Sequence, residues 1–373
     1  MKASTPTTNS PGDNSLDSPR FKEIELKIKA VIRYSLKRTA EEGEKYAKEV
    51  EKEKSLKMPK TNDCKAFSFK DFRPLDFGNL RKTCGMNDRE YFNSIGHTKF
   101  EWKTMNGKSG SLFAVTEDKK LLIKTVTKDE SKTIRNVILP LLMEYIKNEP
   151  NTLIVPVFGL HKFTLDGSDF RFVVMKYLFQ APTATTSSVS SVSSPTTANS
   201  GAKLQDPNVG FEMNKIYDLK GSTTDRIAKE GENIKKDLDL INENMKFHIG
   251  QDLSIEMLFQ LKKDVNFFTS CEVMDYSLIT GIVAPKEGTL EAIQNHIKSN
   301  NEKGRDKFQI ITNTKNSQEF YYFGFIDYFT KYGLRKKAAN NIKSMKNDSS
   351  TISTVPPSSY SDRFMQFIFK VFD

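Results

Sequence analysis

Residues 181–209 constrain this chain more than any other stretch: Thr, Ser, Ala, Pro and Val recur there, with no charged side chain before Lys203. Such a segment cannot bury enough apolar surface to offset the entropy lost on ordering, so it reads as a flexible insertion. Any core has to come from the residues on either side of it. The 373 residues suffice for two domains or for one large two-lobed one, at about 150 residues per domain.

Upstream of the insertion, residues 1–20 are rich in Ser, Thr, Asn and Pro and read as a disordered tail, with no apolar stretch of the secretory kind. From Phe21, apolar residues at Ile24, Ile28, Val31 and Ile32 predict a helix with one buried face. The pattern then becomes a Glu/Lys-dense solvated face that Pro59 ends. Between Lys65 and Met175 short strands dominate. Ser111–Val115 and Leu121–Val126 flank Glu117-Asp118-Lys119, and Phe158–Leu165 and Phe170–Tyr177 flank Asp166-Gly167, which predicts two hairpins. A helical stretch over Lys132–Lys147 lies between them, so the first unit is an antiparallel sheet carrying one helix. Downstream, Ile216–Leu219 reads as a short strand, and Ile255, Leu258, Leu261, Val265 and Phe268 as one apolar stripe of a helix. Phe308–Thr312 and Phe320–Phe325 form a further strand pair. Tyr360, Phe364, Phe367, Ile368 and Val371 repeat at helical spacing and are expected to pack into the core.

Charge and cysteine use narrow the function. Lys and Arg number 57 against 47 Asp and Glu, a net charge of +10, which points either to an anionic partner or to nothing beyond solubility. The 27 Phe residues permit a sizeable core. Apolar runs such as Asn136–Met143 fall well short of the roughly 20 residues of a membrane span. Cys64, Cys84 and Cys271 are odd in number and far apart, which argues for a reducing compartment and against a disulfide framework. His97, His161, His248 and His296 are isolated, so a zinc site is not expected. The composition describes a soluble, intracellular, basic globular protein.

Five features could carry chemistry. Gly107-Lys108-Ser109-Gly110-Ser111 leads into a strand, and a Gly/Ser turn lets backbone N–H groups approach phosphate oxygens. On the hairpin partner, Lys124 lies between Ile123 and Val126; it either meets a nucleotide phosphate or snorkels to solvent, and if buried it needs an anion. Tyr217-Asp218-Leu219-Lys220-Gly221-Ser222-Thr223 is a strand ending in a cation and open backbone donors. Met274-Asp275-Tyr276-Ser277-Leu278 and Phe323-Gly324-Phe325-Ile326-Asp327 each set one carboxylate in an apolar segment, as a structural turn or as a catalytic or metal-binding group. Mg²⁺ in phosphoryl-transfer sites takes one or two carboxylates plus substrate phosphates. Finally, Lys331, Arg335, Lys336, Lys337, Lys343 and Lys346 have no acidic residue among them before Asp348, which suits an anionic lipid surface.

These motifs, with the final Tyr360-Ser361-Asp362-Arg363-Phe364, resemble the phosphatidylinositol phosphate kinase family in order and rough spacing from about Lys65 to Asp373. The resemblance implies an α+β, two-lobed kinase-like fold of antiparallel sheets with helices. Its lobes would span 62–180 and 210–373, the whole domain 62–373, with residues 21–61 a helix and linker before it. It implies phosphorylation of a membrane phosphoinositide with ATP and Mg²⁺. Ser109, Gly110 and Ser111 would cover the nucleotide phosphates and Lys124 would bind them, with Glu130 as its acidic partner. Lys220 would sit near the transferred phosphoryl group or the substrate phosphate, Asp275 would be the catalytic-loop aspartate, and Asp327 the metal ligand. Lys336, Lys337, Ala339 and Lys346 would meet the lipid. Arg335-Lys336-Lys337-Ala338-Ala339-Asn340 looks like the type II pattern, with Asn340 where that pattern has His. It implies a phosphatidylinositol 5-phosphate 4-kinase, against a type I-like 4-phosphate 5-kinase or a weakly active phosphoinositide-binding scaffold. The protein would act in the cytoplasm, peripherally at the cytosolic face of anionic membranes, with room for a homodimer. No nucleic-acid reader motif is present, so no nucleic-acid partner is expected.

Overall fold

The computed structural model describes residues 19–62, 64–104, 111–182, 211–333 and 355–373. The core of the insertion, the Gly/Ser turn up to Gly110 and the basic stretch 334–354 lie outside the described residues. With them lie Ser109, Gly110, Lys336, Lys337, Ala339 and Lys346. Among the described residues no helix is long and apolar enough to cross a membrane.

Two antiparallel hairpins seed the first sheet. β4 (Leu112–Thr116) pairs with β5 (Leu121–Thr125), and β6 (Val157–Leu165) with β7 (Ser168–Lys176). Asp166 and Gly167 both take positive φ, as a two-residue hairpin turn requires. β5 lies against β7 and so joins the hairpins; β1 (Leu56–Met58), β2 (Phe67–Asp71) and β3 (Phe100–Thr104) complete seven strands in the order β1-β2-β6-β7-β5-β4-β3. α1 (Pro19–Glu42) buries Ile24, Ile28, Val31 and Ile32 in the core of this sheet with Phe69, Phe163 and Phe172. The predicted helical face does not run on to Pro59. It breaks at Gly43, where φ is +48°; α2 (Glu44–Lys52) follows, and β1 then pairs with β2 inside the stretch read as a linker.

The sheet also carries more than one helix. α3 (Pro74–Thr83) and α4 (Asp88–His97) were invisible to strand periodicity, although Pro74 at the first helical position and the Asn87–Glu90 capping box signal both starts. The expected helix over 132–147 is α5 (Lys128–Thr133), a π-helical turn over Ile134–Ile138 and α6 (Leu139–Asn148).

The second sheet forms beyond the insertion. β8 (Phe211–Leu219) is longer than its four apolar residues predicted. β9 (Ile234–Lys235), β11 (Ser277–Pro285), β12 (Ile310–Thr312) and β13 (Phe320–Ile326) join it in the order β12-β13-β11-β8-β9, with only β8 and β9 parallel. β10 (Val273–Met274) and β14 (Thr330–Lys331) make a separate two-stranded ladder. Between these strands lie α7 (Asp237–Asn242), α8 (Gln251–Ser270) and α9 (Leu290–Lys303). α8 is rotated from the predicted stripe: Met257, Leu261, Val265 and Phe268 are buried, whereas Ile255 is 47 % exposed. The C-terminal helix Pro357–Val371 packs on α8 through Phe364, Ile368 and Val371, as its spacing predicted. Mixed helices and mainly antiparallel sheets give an α+β kinase-like fold.

One connector ties the sheets together. Leu153–Val155, on its way into β6, bridges to Phe325 of β13: Phe325 N–H donates to Leu153 O at 2.7 Å and Val155 N–H to Phe325 O at 3.1 Å. Tyr328 OH donates to Val155 O at 2.7 Å. Gly324 permits this approach, because a Cβ there would sit 2.7 Å from Val155 Cγ2 and 3.1 Å from Leu178. From below, the buried Asp264 of α8 accepts from Leu153 N–H, Thr152 Oγ1 and Tyr145 OH at 2.6–2.8 Å.

Gly324→Ala should destabilise the protein by about 1–3 kcal/mol, the usual cost of overpacking a filled site. A fall in thermal midpoint with unchanged secondary-structure signal checks this. Burial pushes the Asp264 carboxyl up to about 6. Between about pH 4 and 6 the native state therefore holds a proton that the unfolded chain has released, and stability from this group falls as pH rises through that window. Asp264→Asn should flatten that slope in chemical unfolding measured from pH 4 to 7.

Candidate active site

The register of the second sheet decides where the chemistry can be. Leu278 of β11 pairs with Leu219 of β8 on one side and Phe325 of β13 on the other, so Leu219, Leu278 and Phe325 form one row. Lys220 follows the row by one residue, Asp275 precedes it by three, and Asp327 follows it by two. All three leave the sheet at the same end. The β10–β14 ladder then closes the two loops against each other, Met274 opposite Thr330 and Val273 opposite Lys331.

Both aspartates share one backbone device. Asp275 has φ +63° and Asp327 φ +61°, the left-handed region that Asp tolerates better than most residues. Met274 and Tyr276 around Asp275 are buried, as are Tyr328 and Phe329 after Asp327, while each Asp is only half-buried. Tyr276 is the anchor. It packs against Phe268, Phe325, Tyr360 and Phe364, and its carbonyl accepts from Tyr360 OH at 2.5 Å. Here the C-terminal Tyr360–Phe364 motif, whose role the sequence left open, fixes the loop of Asp275.

Lys124 of β5 reaches across from the first sheet, and its Nζ donates to Asp327 Oδ1. The pair is partly open to solvent, with side chains 17 % and 31 % exposed, so an incoming anion can reach it. Glu130 does not meet Lys124, contrary to expectation. Its carboxylate accepts from Thr127 N–H at 2.7 Å, while Thr127 Oγ1 accepts from Glu130 N–H at 3.2 Å. Thr127-Lys128-Asp129-Glu130 is a capping box that starts α5, and that use of the side chain was readable in the sequence. Ser111 lies two residues before Phe113, the β4 partner of Lys124, so the exit of the Gly/Ser turn and Lys124 come to one end of the sheet.

Lys220 is held at both ends. Nζ donates to the Asp275 carbonyl at 2.9 Å. Its own N–H and those of Gly221 and Ser222 all point at Asp237 Oδ1, at 2.9, 2.7 and 3.3 Å. Gly221 has φ +65°, and a Cβ there would lie 2.7 Å from Phe364 Cα, so the turn is pressed onto the C-terminal helix. Arg226 Nε donates to Asp237 Oδ2 at 2.7 Å, and the same guanidinium lies 3.3 Å from Asp218 Oδ1. Burial pushes the Asp237 carboxyl above its ordinary value. Burial acts the same way on Asp218, but the Arg226 and Lys220 charges outweigh it and hold that carboxyl low. Asp237 and Arg226 are functional supports that sequence reasoning missed. Nothing local marks them: Asp237 lies 15 residues beyond Ser222, and Arg226 serves the turn only through Asp237.

The arrangement offers a cation and a carboxylate from opposite sheets, a second cation beside a second carboxylate loop, and an open side. It is suited to binding a polyphosphate and moving a phosphoryl group. A family model described as phosphatidylinositol-4-phosphate 5-kinase matches residues 95–191 and 203–371. The chain is 28 % identical over 342 residues to phosphatidylinositol 5-phosphate 4-kinase type-2 alpha of Gallus gallus, covering 81 % of this chain and 78 % of the relative. It is 26 % identical over 347 residues to the type-2 beta enzyme of Homo sapiens, covering 81 % and 77 %. Against the type-2 gamma enzyme of Xenopus tropicalis it is 26 % identical over 348 residues, covering 82 % and 76 %.

Asp237→Ala should cost about 3–5 kcal/mol, because it removes one of the two carboxylates that hold Arg226 and strands three backbone donors. Denaturant unfolding measures the loss, and turnover of any substrate should fall with it as Lys220 loses its turn.

Proposed function

The chain belongs to the phosphatidylinositol-4-phosphate 5-kinase family, and we propose that it transfers the γ-phosphoryl group of ATP to the 4-hydroxyl of phosphatidylinositol 5-phosphate, giving phosphatidylinositol 4,5-bisphosphate. The observation that carries this reading is the Lys124–Asp327 pair, which bridges the two sheets beside Lys220 and the Asp275 loop. A lysine paired to a carboxylate is a ready polyphosphate site: the ammonium exchanges one set of anionic oxygens for another without being left unpaired.

On this reading Lys124 receives the α- and β-phosphates, and Ser109, Gly110 and Ser111 close over them. Asp275 accepts the proton of the ring hydroxyl as its oxygen bonds to the γ-phosphorus and ADP leaves. Lys220, tethered on the Asp275 carbonyl, offsets negative charge on the transferred group. Asp327 suits Mg²⁺: its oxygens are hard donors at a half-open site, and Mg²⁺ beside nucleotide phosphates uses only one or two carboxylates. Accordingly, the lack of any cluster of three metal-ligating side chains among the described residues is no obstacle. When bound, Mg²⁺ neutralises phosphate charge; Asp327 would hold it.

The choice of the 5-phosphate lipid is supported by the relatives, which carry that activity in their names, and by Ala339 in the type II-like stretch. Lys336, Lys337 and Lys346 would meet the headgroup at the cytosolic face of an anionic membrane, where the protein acts peripherally.

Radiolabelled ATP supplied with each phosphatidylinositol monophosphate, followed by assignment of the new phosphate on the ring, tests this directly. The 5-phosphate lipid should be phosphorylated at position 4 and preferred; preferential 5-phosphorylation of the 4-phosphate lipid would overturn the assignment. Asp275→Asn and Asp327→Asn should each lower kcat more than about tenfold, at least roughly 1.4 kcal/mol of barrier, with the thermal midpoint little changed.

A further inference from the structure

A second groove opens next to the Lys220 turn. It is about 450 Å³ in volume and runs between α7 with the residues after it and the C-terminal helix; Gly221 and Thr223 form one end. Lys220, Asp275 and Asp327 do not line it. The walls carry three cations, Lys246, Arg363 and Lys370, and no carboxylate. Lys246 and Lys370 are exposed and have no ion-pair partner among the described residues. Arg363 is sheltered, with its guanidinium over the Tyr360 ring at 5.0 Å; burial lowers its pKa, while Tyr360, Asp237, Tyr276 and Asp275 pull it the other way.

Besides the polar Asn244 and Gln366, the remaining lining is apolar. Leu240 and Val371 are 2 % and 4 % exposed and form the floor, Phe367 is half-buried, and Ile241 stands 47 % exposed at the rim. A bare phosphate would leave that floor unused, and a neutral apolar ligand would leave three cations facing it. A ligand with one anionic group and an adjoining apolar body uses both. Pockets of about 300–1,000 Å³ are the usual size for such molecules.

We propose that this groove is a second lipid site, in which an anionic glycerophospholipid places its phosphate among Lys246, Arg363 and Lys370 and its acyl chains along Leu240, Ile241 and Phe367. The lipid held there is not the one phosphorylated. It anchors the C-terminal helix to the bilayer beside the turn that bears Lys220. Because Gly221 is pressed onto that helix at Phe364, occupancy and the position of Lys220 are mechanically linked.

The test is calorimetric titration of the full chain, without ATP, with dihexanoyl phosphatidylserine below its micellar concentration. The test involves no turnover, so its outcome is separate from that of the kinase assignment. Lys246→Glu/Lys370→Glu should weaken binding by at least about tenfold, since each cation near a headgroup is worth about 1 kcal/mol. Lys286→Glu/Lys298→Glu, which makes the same change of net charge at exposed sites elsewhere, should leave affinity within about twofold. Ile241→Ser should weaken the lipid but not glycerophosphoserine, the same headgroup without chains. Equal losses in the two lysine pairs, or none in the groove pair, would overturn the proposal. So would glycerophosphoserine or dihexanoyl phosphatidylcholine binding as tightly as the anionic lipid. If the glutamate pair lowers the thermal midpoint, Lys246→Gln/Lys370→Gln supplies the same comparison with a smaller perturbation.

Discussion

The row Leu219–Leu278–Phe325 is the constraint on which the site depends. Three strands distant in sequence are locked by backbone hydrogen bonds in a register that one residue's slip would destroy, since a slip turns every side chain to the opposite face. The apolar side chains of this row are fully buried. The chemistry then needs only short leaders from a rigid edge: one residue to Lys220, two to Asp327, three to Asp275. Left-handed backbone at both aspartates completes the arrangement, leaving each carboxylate half-exposed beside a buried tyrosine, Tyr276 or Tyr328.

A second level of support is electrostatic. Asp237 gathers three backbone N–H groups and the Arg226 guanidinium, and Arg226 in turn holds Asp218 at the end of β8. A buried carboxylate so fully satisfied is expensive to disturb, which is what a turn presenting a catalytic cation requires. At the site the charge contact between the two sheets is Lys124 with Asp327. It is more exposed and therefore more exchangeable. Rigid buried charge positions the groups, and a looser, half-open pair meets the ligand.

Much of the fold was legible because hairpins and amphipathic helices are local. Asp166-Gly167, the strands on either side of it, and the Tyr360–Val371 stripe appear where their spacing put them. Short helices were not. α3 and α4 are ten residues each, bracketed by strands, and their evidence lay in Pro74 and the Asn87 capping box rather than in strand periodicity. β1 hid inside a charged stretch because three residues carry too little alternation to stand out. Ile255 misled the helix reading, since an apolar residue near the start of a stripe can fall on its solvent edge.

By itself the sequence determined which residue types could do the chemistry: a lysine in an apolar strand, two aspartates in apolar segments, a Lys-Gly-Ser turn, and a family resemblance in their order. Those signals are local, and local physics suffices to read them. Only the tertiary structure decided who meets whom. Lys124 pairs with Asp327, 203 residues away, while the nearby Glu130 is occupied in capping a helix. Asp237 and Arg226 acquire their roles solely from where the chain returns. The partner of a buried charge is chosen by strand register and packing between distant segments, and no pattern within a short window records that choice.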